Sequence, residues 1–553
     1  MADANDHPIG PQSIAAAEAV MGVQYSPAER AMIAETIAGQ IALAVQRRAV
    51  TLPADLAPAT RFDPRLPGFT MPPALPLRPL PVAPGPVPDR AEDIAFASIG
   101  ALGAWLRCGA LSAERLAGIF LERIARLGPR LACIATATPD LAMAQARRAD
   151  ALLAAGTDLG PLHGIPYGAK DLLDTAGIVT GWGAEPWRDN VPARDAVVVQ
   201  RLAAAGAVLV AKTTLGALAY GDIWYGGMTR NPWNPEEGSS GSSAGSGSAT
   251  AAGLVAFAIG TETLGSITAP SLRCGTTGLR PSFGRVARNG AMTLCWSLDK
   301  IGPMCRSVAD TALVLAAING ADPADIASID APFGYDAAAP ISGLRLGYYP
   351  EDFGESSEPL DRQMLEEART LGLELVALER AALPYDSLMG TLLAEAAASF
   401  EALTLSDADD TLRWQDSAAW PNTFRRARFL SAVEHVQLDR LRRRVMQTMA
   451  ADFAQVDAII GPCLASPLLI ITNFTGHPCL ALRCGFVQHR TRHRVSLEKA
   501  RQHQGAEGAD VTHRVPHAIG LYGKLFDEGS ILRIGAALEA RLGVAAERPP
   551  MAA

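Results

Sequence analysis

Cysteine is scarce in this chain: eight residues in 553. They show neither paired C-x-x-C spacing nor a close histidine pattern, so neither a disulfide frame nor a zinc site is expected, and reduced thiols of a cytoplasmic protein are. Basic charge is also short, with 49 Lys+Arg against 57 Asp+Glu and a net charge of −8. That balance argues against a mainly electrostatic nucleic-acid binder. No apolar run approaches the roughly 18 residues of a membrane span. Ala251–Gly260 is too short, and Ile459–Ile471 is interrupted by Pro462, Ser466 and Pro467. The opening MADANDHPIG has no basic stretch followed by an apolar one, so no secretory signal is expected. What the chain does have is length and 49% apolar residues, enough for a sizeable core.

Three regions follow. Residues 1–50 read as an N-terminal helical appendage. Ser26-Pro27-Ala28-Glu29 has the order of a capping box with proline at the first helical position. Ile33, Ile37, Ile41 and Val45 then recur every four residues, an apolar face that needs either the chain's own body or a second copy, as in a homodimer. Residues 51–91 read as a proline-rich connector: 52–88 hold 12 of the 39 prolines, which excludes a regular helix or central strand and predicts an extended strap. Gly68-Phe69 and Leu75-Pro76-Leu77 are its candidate anchors. Residues 92–545 read as one globular α/β body. Helices are predicted over 98–108, 112–126, 140–155 and 196–205, and a strand over 207–210. The Gly/Ser/Ala-rich segment 238–253 leads directly into the strand-like 254–259, so it is expected to be a compact turn-rich site and not a linker. Residues 488–504 carry five Arg/Lys and three His, which suits a solvated loop or a contact for an anionic partner.

Several chemistries can be set aside. The glycine-rich stretch 241–250 lacks Gly-Lys-Ser/Thr and Gly-x-Gly-x-x-Gly, so it is no nucleotide loop. The nine histidines contain no metal spacing such as H-E-x-x-H, and His163, in a Pro-Leu-His-Gly-Ile-Pro turn, reads as structural. Gly241-Ser242-Ser243-Ala244-Gly245 matches the nucleophile elbow of α/β-hydrolases, with Ser243 as nucleophile. That motif needs a buried strand just before it, and NPWNPEEGSS is not expected to form one.

Three further elements carry chemistry. Lys170 ends the apolar, turn-bounded run Gly164–Ala169; buried, it would lose hydration and become a neutral amine able to act as a general base, whereas on the surface it would pair with Asp171. The serine cluster 239–248 and the segment Gly260–Ile267 each place serines at glycine turns, where exposed backbone N–H groups can hold an oxyanion.

In this order, LHGIPYGAKD, the run 195–214, TRNPWNP, the Ser/Gly block, GTETLGSI, and GLRPSFGRV followed by SLDKIGPM resemble the amidase signature family from about residue 95 to 340, and more weakly to about 545. The resemblance implies a large mixed β-sheet covered by helices on both faces, with no metal or organic cofactor. It implies hydrolysis of an amide by a Ser–Ser–Lys triad through an acyl-enzyme. Lys170 maps to the base and Ser266 to the nucleophile. Ungapped counting from either side puts the bridging serine at Ser242 rather than Ser239, after a cis peptide bond. Backbone N–H groups of Thr263, Leu264, Gly265 and Ser266 would form the oxyanion hole. Leu264 stands where the family usually has glycine. Thr268 stands where it often has an arginine that contacts an acidic substrate group, and Arg273 lies nearby. Trp182, Trp224, Tyr225 and Trp296 flank the motifs and could line a substrate pocket or simply pack in the core; as pocket lining they favour hydrophobic or aryl amides, with esters or carbamates as side activities. Two other roles are compatible with an amidase body: the A-type component of a glutamine-dependent tRNA amidotransferase, and a non-catalytic binding protein. The first is distinguished by its dependence on partner subunits, the second by the loss of the Lys/Ser/Ser set.

Overall fold

The computed structural model describes residues 9–552 except 74–75, 84, 356 and 493–510. The appendage holds two helices where the sequence pattern marked one: α1 (Pro11–Met21) and α2 (Pro27–Arg48). The predicted capping box at Ser26 and Glu29 closes α2. The two helices are joined by a two-pronged Arg30–Glu18 ion pair at 2.7 and 2.8 Å. A second such pair, Arg47–Glu401 at 2.6 and 2.7 Å, ties α2 to the body. The apolar stripe is not absorbed by the body: no residue of α2 is buried, and Ile41 and Val45 are 44% and 56% exposed.

The strap is anchored by aromatic contacts. Phe62 packs edge-on against Phe283 and Phe69 against Phe526, at centroid distances of 5.1 and 6.1 Å. Leu77–Arg78 pairs in parallel with Tyr335–Asp336. Of the expected second anchor, Leu75 lies outside the described residues, as does most of the basic segment 488–504. The described end of that segment turns Arg492 onto Glu237 at 2.7 Å.

The body is built on one mixed sheet of eleven strands. In chain order they are β1 (Ile134–Ala137), β2 (Pro166–Lys170), β3 (Val208–Thr213), β4 (Phe257–Glu262), β5 (Thr277–Arg280), β6 (Lys300–Cys305), β7 (Arg345–Tyr348), β8 (Glu374–Ala377), β9 (Ala458–Pro462), β10 (Cys479–Arg490) and β11 (Thr512–Gly523). Their spatial order is β8-β7-β9-β11-β10-β5-β6-β4-β2-β3-β1. β2 runs parallel to both neighbours, with Ala169 opposite Ile259 of β4 and Lys212 of β3. β2, β3, β5 and β6 are buried along their whole length, which explains continuous apolar runs such as Val208–Ala211.

Helices cover the sheet. α3 (Ala113–Leu131) starts at Ser112, whose hydroxyl accepts from Arg115 N, and buries Leu116, Phe120, Ile124 and Leu127 along one stripe. α4 (Ala244–Ala251) is the first departure from expectation. The second half of the Gly/Ser/Ala block is a helix, every residue of which is buried. Its two glycines and two serines are poor helix formers, so tertiary packing decides its conformation. The second departure is Asn234–Gly238, within the stretch expected to form no strand. It pairs antiparallel with Arg230–Asn231 in a separate two-stranded ribbon, away from the central sheet. α5 (Thr268–Cys274) and α6 (Leu468–Thr475) close over the same region.

Candidate active site

Lys170 is the last residue of β2 and has no exposed surface. Its amine donates to Ser242 Oγ and Thr261 Oγ1, each at 2.8 Å, and to Ser243 Oγ at 3.1 Å, with the Thr261 carbonyl farther off at 3.5 Å. All of these partners are neutral. Burial lowers the Lys170 pKa well below the ordinary lysine value; Asp299 and Glu262 oppose this only at longer range. Lys170 is therefore not paired with Asp171, whose carboxylate instead meets Lys212 at 3.1 Å.

The serine segment reaches Lys170 through a tight turn. The Gly241–Ser242 peptide bond is cis. A Cβ at Gly241 would lie 1.8 Å from the Gly221 carbonyl oxygen, so only glycine fits there. Ser239 faces away and donates to the Ser240 carbonyl. Ser243 is fully committed: its hydroxyl accepts from Thr261 N, donates to Thr261 O and accepts from Lys170. This clamps the start of α4 to β4 and leaves Ser242 as the less encumbered hydroxyl.

Ser266 lies just beyond β4. Its carbonyl accepts from Ser243 N at 3.1 Å, so the two serine segments are in direct backbone contact. Ser266 is 8% exposed and Ser242 is 1% exposed. Among the described residues, no acceptor pairs with the N–H groups of Leu264, Gly265 or Ser266. The positive φ of this turn falls on Gly265, at 84°, and not on Leu264, which packs against the core. The family's glycine is thus not needed at position 264. Thr263 sends its hydroxyl to Asp299 at 2.6 Å.

Glu262 holds the turn from behind. It accepts from Ile267 N, Thr268 N and Thr268 Oγ1, all at 2.9 Å, and pairs with Arg280 at 2.8 Å. Burial alone would raise its pKa, but Arg280 and these donors outweigh burial and hold it at about 2. Thr268 is consumed by this tie. Arg273 faces Glu237 at 3.6 Å.

Backbone strain collects around the site. Of the seven non-glycine residues with positive φ among the described residues, Trp182, Leu218, Ala219 and Ser240 lie in the loops packed beside Lys170 and Ser242. Trp182 N donates to Asp171 O, and Leu218 N to Trp182 O, which ties two of these loops to the lysine segment.

The four flanking aromatics are placed differently. Trp296 lines a cavity of about 680 Å³ whose inner wall includes Thr261 and Thr263. Trp224 is buried against Tyr225, which covers Gly181. Trp182 packs against Trp187, tilted by 31° at a centroid distance of 4.9 Å, the start of an aromatic array that continues through Phe400, Phe424 and Trp420 to Tyr220. Trp420 Nε1 donates to Leu218 O, so the array buttresses the strained loop. Apart from Trp182, its members carry no local signal in the sequence, because the two contacts that join its halves, Trp187 to Phe400 and Tyr220 to Trp420, each span 200 positions or more.

The amidase family model matches residues 115–478. Among curated proteins, the A-type component of the glutamyl-tRNA(Gln) amidotransferase of Synechococcus sp. (strain RCC307) is 42% identical over 288 residues, half of this chain and 59% of that protein. Its counterpart of the same name from Roseiflexus castenholzii is 34% identical over 480 residues, 78% of this chain and 93% of that protein. Among solved structures, the peptide amidase of Stenotrophomonas maltophilia superposes with a TM-score of 0.69 at 28% identity, over 83% of this chain and 99% of that one. With the family model covering most of the body and all three candidate residues inside it, this chain belongs to the amidase family.

Proposed function

We propose that the protein hydrolyses amide bonds by a relay from Ser266 through Ser242 to Lys170. One observation carries this reading: a fully buried amine contacts only neutral oxygens, among them Ser242 Oγ at 2.8 Å, and the neighbouring residue's N–H bonds the backbone of Ser266. A neutral amine in that place offers a lone pair to Ser242. The Ser242 proton moves to Lys170 Nζ, the Ser266 proton moves to Ser242 Oγ, and Ser266 Oγ attacks the carbonyl carbon. The oxyanion takes up the free N–H groups of the turn from Thr263 to Ser266, where one donor is worth about 3–4 kcal/mol. Collapse breaks the C–N bond, and the leaving amine takes its proton back along the same path. Water then attacks the acyl ester by the reverse relay.

The substrate class we favour is a hydrophobic or aryl amide, with esters and carbamates as side activities. Thr268 carries no charge and Arg273 faces Glu237, which supports a substrate without an acidic group at that point. A second reading, an A-type amidotransferase component that takes ammonia from glutamine beside partner subunits, has the names of the curated relatives in its favour.

A fluorophosphonate probe, followed by peptide mapping, tests the relay. Label on Ser266 is the expected result. Label on Ser243 would favour the elbow chemistry, and no label on folded protein would favour a binding role. Glutaminase activity that depends on added partner subunits would move the assignment to the second reading.

A further inference from the structure

The strap passes directly over the cavity that borders the candidate site. Asp55, Leu56 and Ala57 form part of its wall, as do Thr261 and Thr263. The Thr261 hydroxyl meets Lys170 and Thr263 begins the turn that carries Ser266, so the cavity adjoins the candidate site through these two threonines, while Lys170, Ser242 and Ser266 do not themselves line it. Ala57 also lines a second cavity of about 910 Å³, and Trp296, Arg288 and Ile326 line both. The strap is thus a partition between two spaces.

This partition is held in place. Trp296 Nε1 donates to the Ala54 carbonyl at 3.0 Å. Leu56 N donates to Pro53 O, closing a turn between Pro53 and Pro58, whose rings restrict the backbone on either side. Farther along, the Arg442 guanidinium lies 3.4 Å above the centre of the Phe62 ring, while its nitrogens reach Ser297. Arg61 donates to the Ile326 carbonyl. A segment so pinned sets a fixed boundary. Yet Leu56 itself is 58% exposed, so its side chain stands at the opening and is not locked in a core.

We infer that residues Asp55–Ala57 of the strap determine substrate size, closing the far end of the cavity and rejecting amides whose group entering it is long. This rests on the Ser266 relay proposed above, and the strap adds to that relay a boundary drawn from outside the span matched by the family model. No chemical step is assigned to the strap. It acts by excluded volume, and Trp296 acts on it as a positioning residue.

The test reads Ser266 labelling rates with alkyl fluorophosphonates of increasing chain length, on the full-length protein and on Leu56→Trp, Leu56→Gly and Trp296→Phe. Filling the opening with tryptophan should lower the ratio of long-chain to short-chain labelling by about tenfold, and glycine should raise it by a similar factor, the discrimination that a few methylenes support in an apolar site. Trp296→Phe, which removes the anchor bond but keeps an aromatic ring, should shift the ratio in the direction of glycine. Label on Ser266 with the same chain-length ratio in all four proteins would overturn the strap's role and leave the relay standing. Absence of label on Ser266 would overturn the relay and the strap's role with it. Circular dichroism and thermal melts on each variant separate misfolding from a changed boundary.

Discussion

Lys170 and Lys212 sit one residue out of step on adjacent strands, β2 and β3, and neither has exposed surface. Their surroundings differ in one respect. Lys212 meets a carboxylate, Asp171 at 3.1 Å, as well as Thr180 Oγ1 at 2.6 Å. Lys170 meets only neutral oxygens. Burial pulls the pKa of both amines down, but at Lys212 the attraction of Asp171 opposes it directly. Equal burial therefore produces two different tools. The paired amine is a structural cation, and the unpaired one is suited to accept a proton. Burial by itself does not make a base; burial without a counter-charge does.

The strongest way to break this comparison is on the catalytic side. Ser266→Ala should lower turnover by about 10⁴- to 10⁶-fold, and Lys170→Met should do so on a similar scale while melting at or above the parent temperature, because a costly buried amine is replaced by an apolar chain. Near-parent activity in either, measured on a panel of anilides and esters, would remove the residue from the relay. On the structural side, Lys212→Met should destabilise by about 3–5 kcal/mol in urea unfolding, since it strands the Asp171 carboxylate in the interior. The Lys212→Met/Asp171→Leu double variant should recover much of that loss. If the double variant is no better than the single, the pair is not what Lys212 is for.

Glu262 extends the contrast to a carboxylate. Glu262→Gln should cost a similar 3–5 kcal/mol by leaving the Arg280 guanidinium buried and half-satisfied. Its pKa is depressed from 4.5 to about 2 in the folded state. The stability it contributes is thus complete above about pH 5 and is lost as the pH falls through 4.5 toward 2. A parent acid-unfolding curve that matches the Gln variant between those limits would contradict this.

Smaller effects sharpen the picture further. Activity should rise with pH as Lys170 loses its proton, with the midpoint well below the ordinary lysine value because burial lowers it. A rate that falls over that limb would place the base elsewhere. Leu264→Gly should change kcat by less than about twofold, since Gly265 already carries the left-handed turn, and should destabilise by about 1–3 kcal/mol through the lost core contact.

Much of this site could be read before the fold was known because its residues lie in contiguous runs. Gly164–Asp171 is one β-strand with its approach, and Gly260–Ile267 is another with its exit. Ser242 was distinguishable from Ser239 only by counting along the chain, and the geometry puts Ser242 beside Lys170. Other features resist such reading for physical reasons. α4 is helical despite its glycines and serines, because small residues let it lie against β4 and α5, and propensity is outweighed by that packing. The Asn234–Gly238 strand survives its proline because it belongs to a ribbon outside the main sheet. The array from Trp182 to Tyr220 depends on helices near residues 400 and 420, so no local pattern announces it. In the appendage, the four-residue period of α2 was legible, but what it faces was not: periodicity marks a stripe and is silent about its cover.

The placement of β2 beside β4 has one more consequence. Gly168 lies opposite Ala258 and Ala169 opposite Ile259, so the gap between the amine at 170 and the turn that follows residue 262 is a count of ladder rungs. Slippage by a single rung would point the amine through the opposite side of the sheet. The spacing of the candidate groups is therefore measured out by main-chain hydrogen bonds, a ruler that drift of peripheral side chains does not touch.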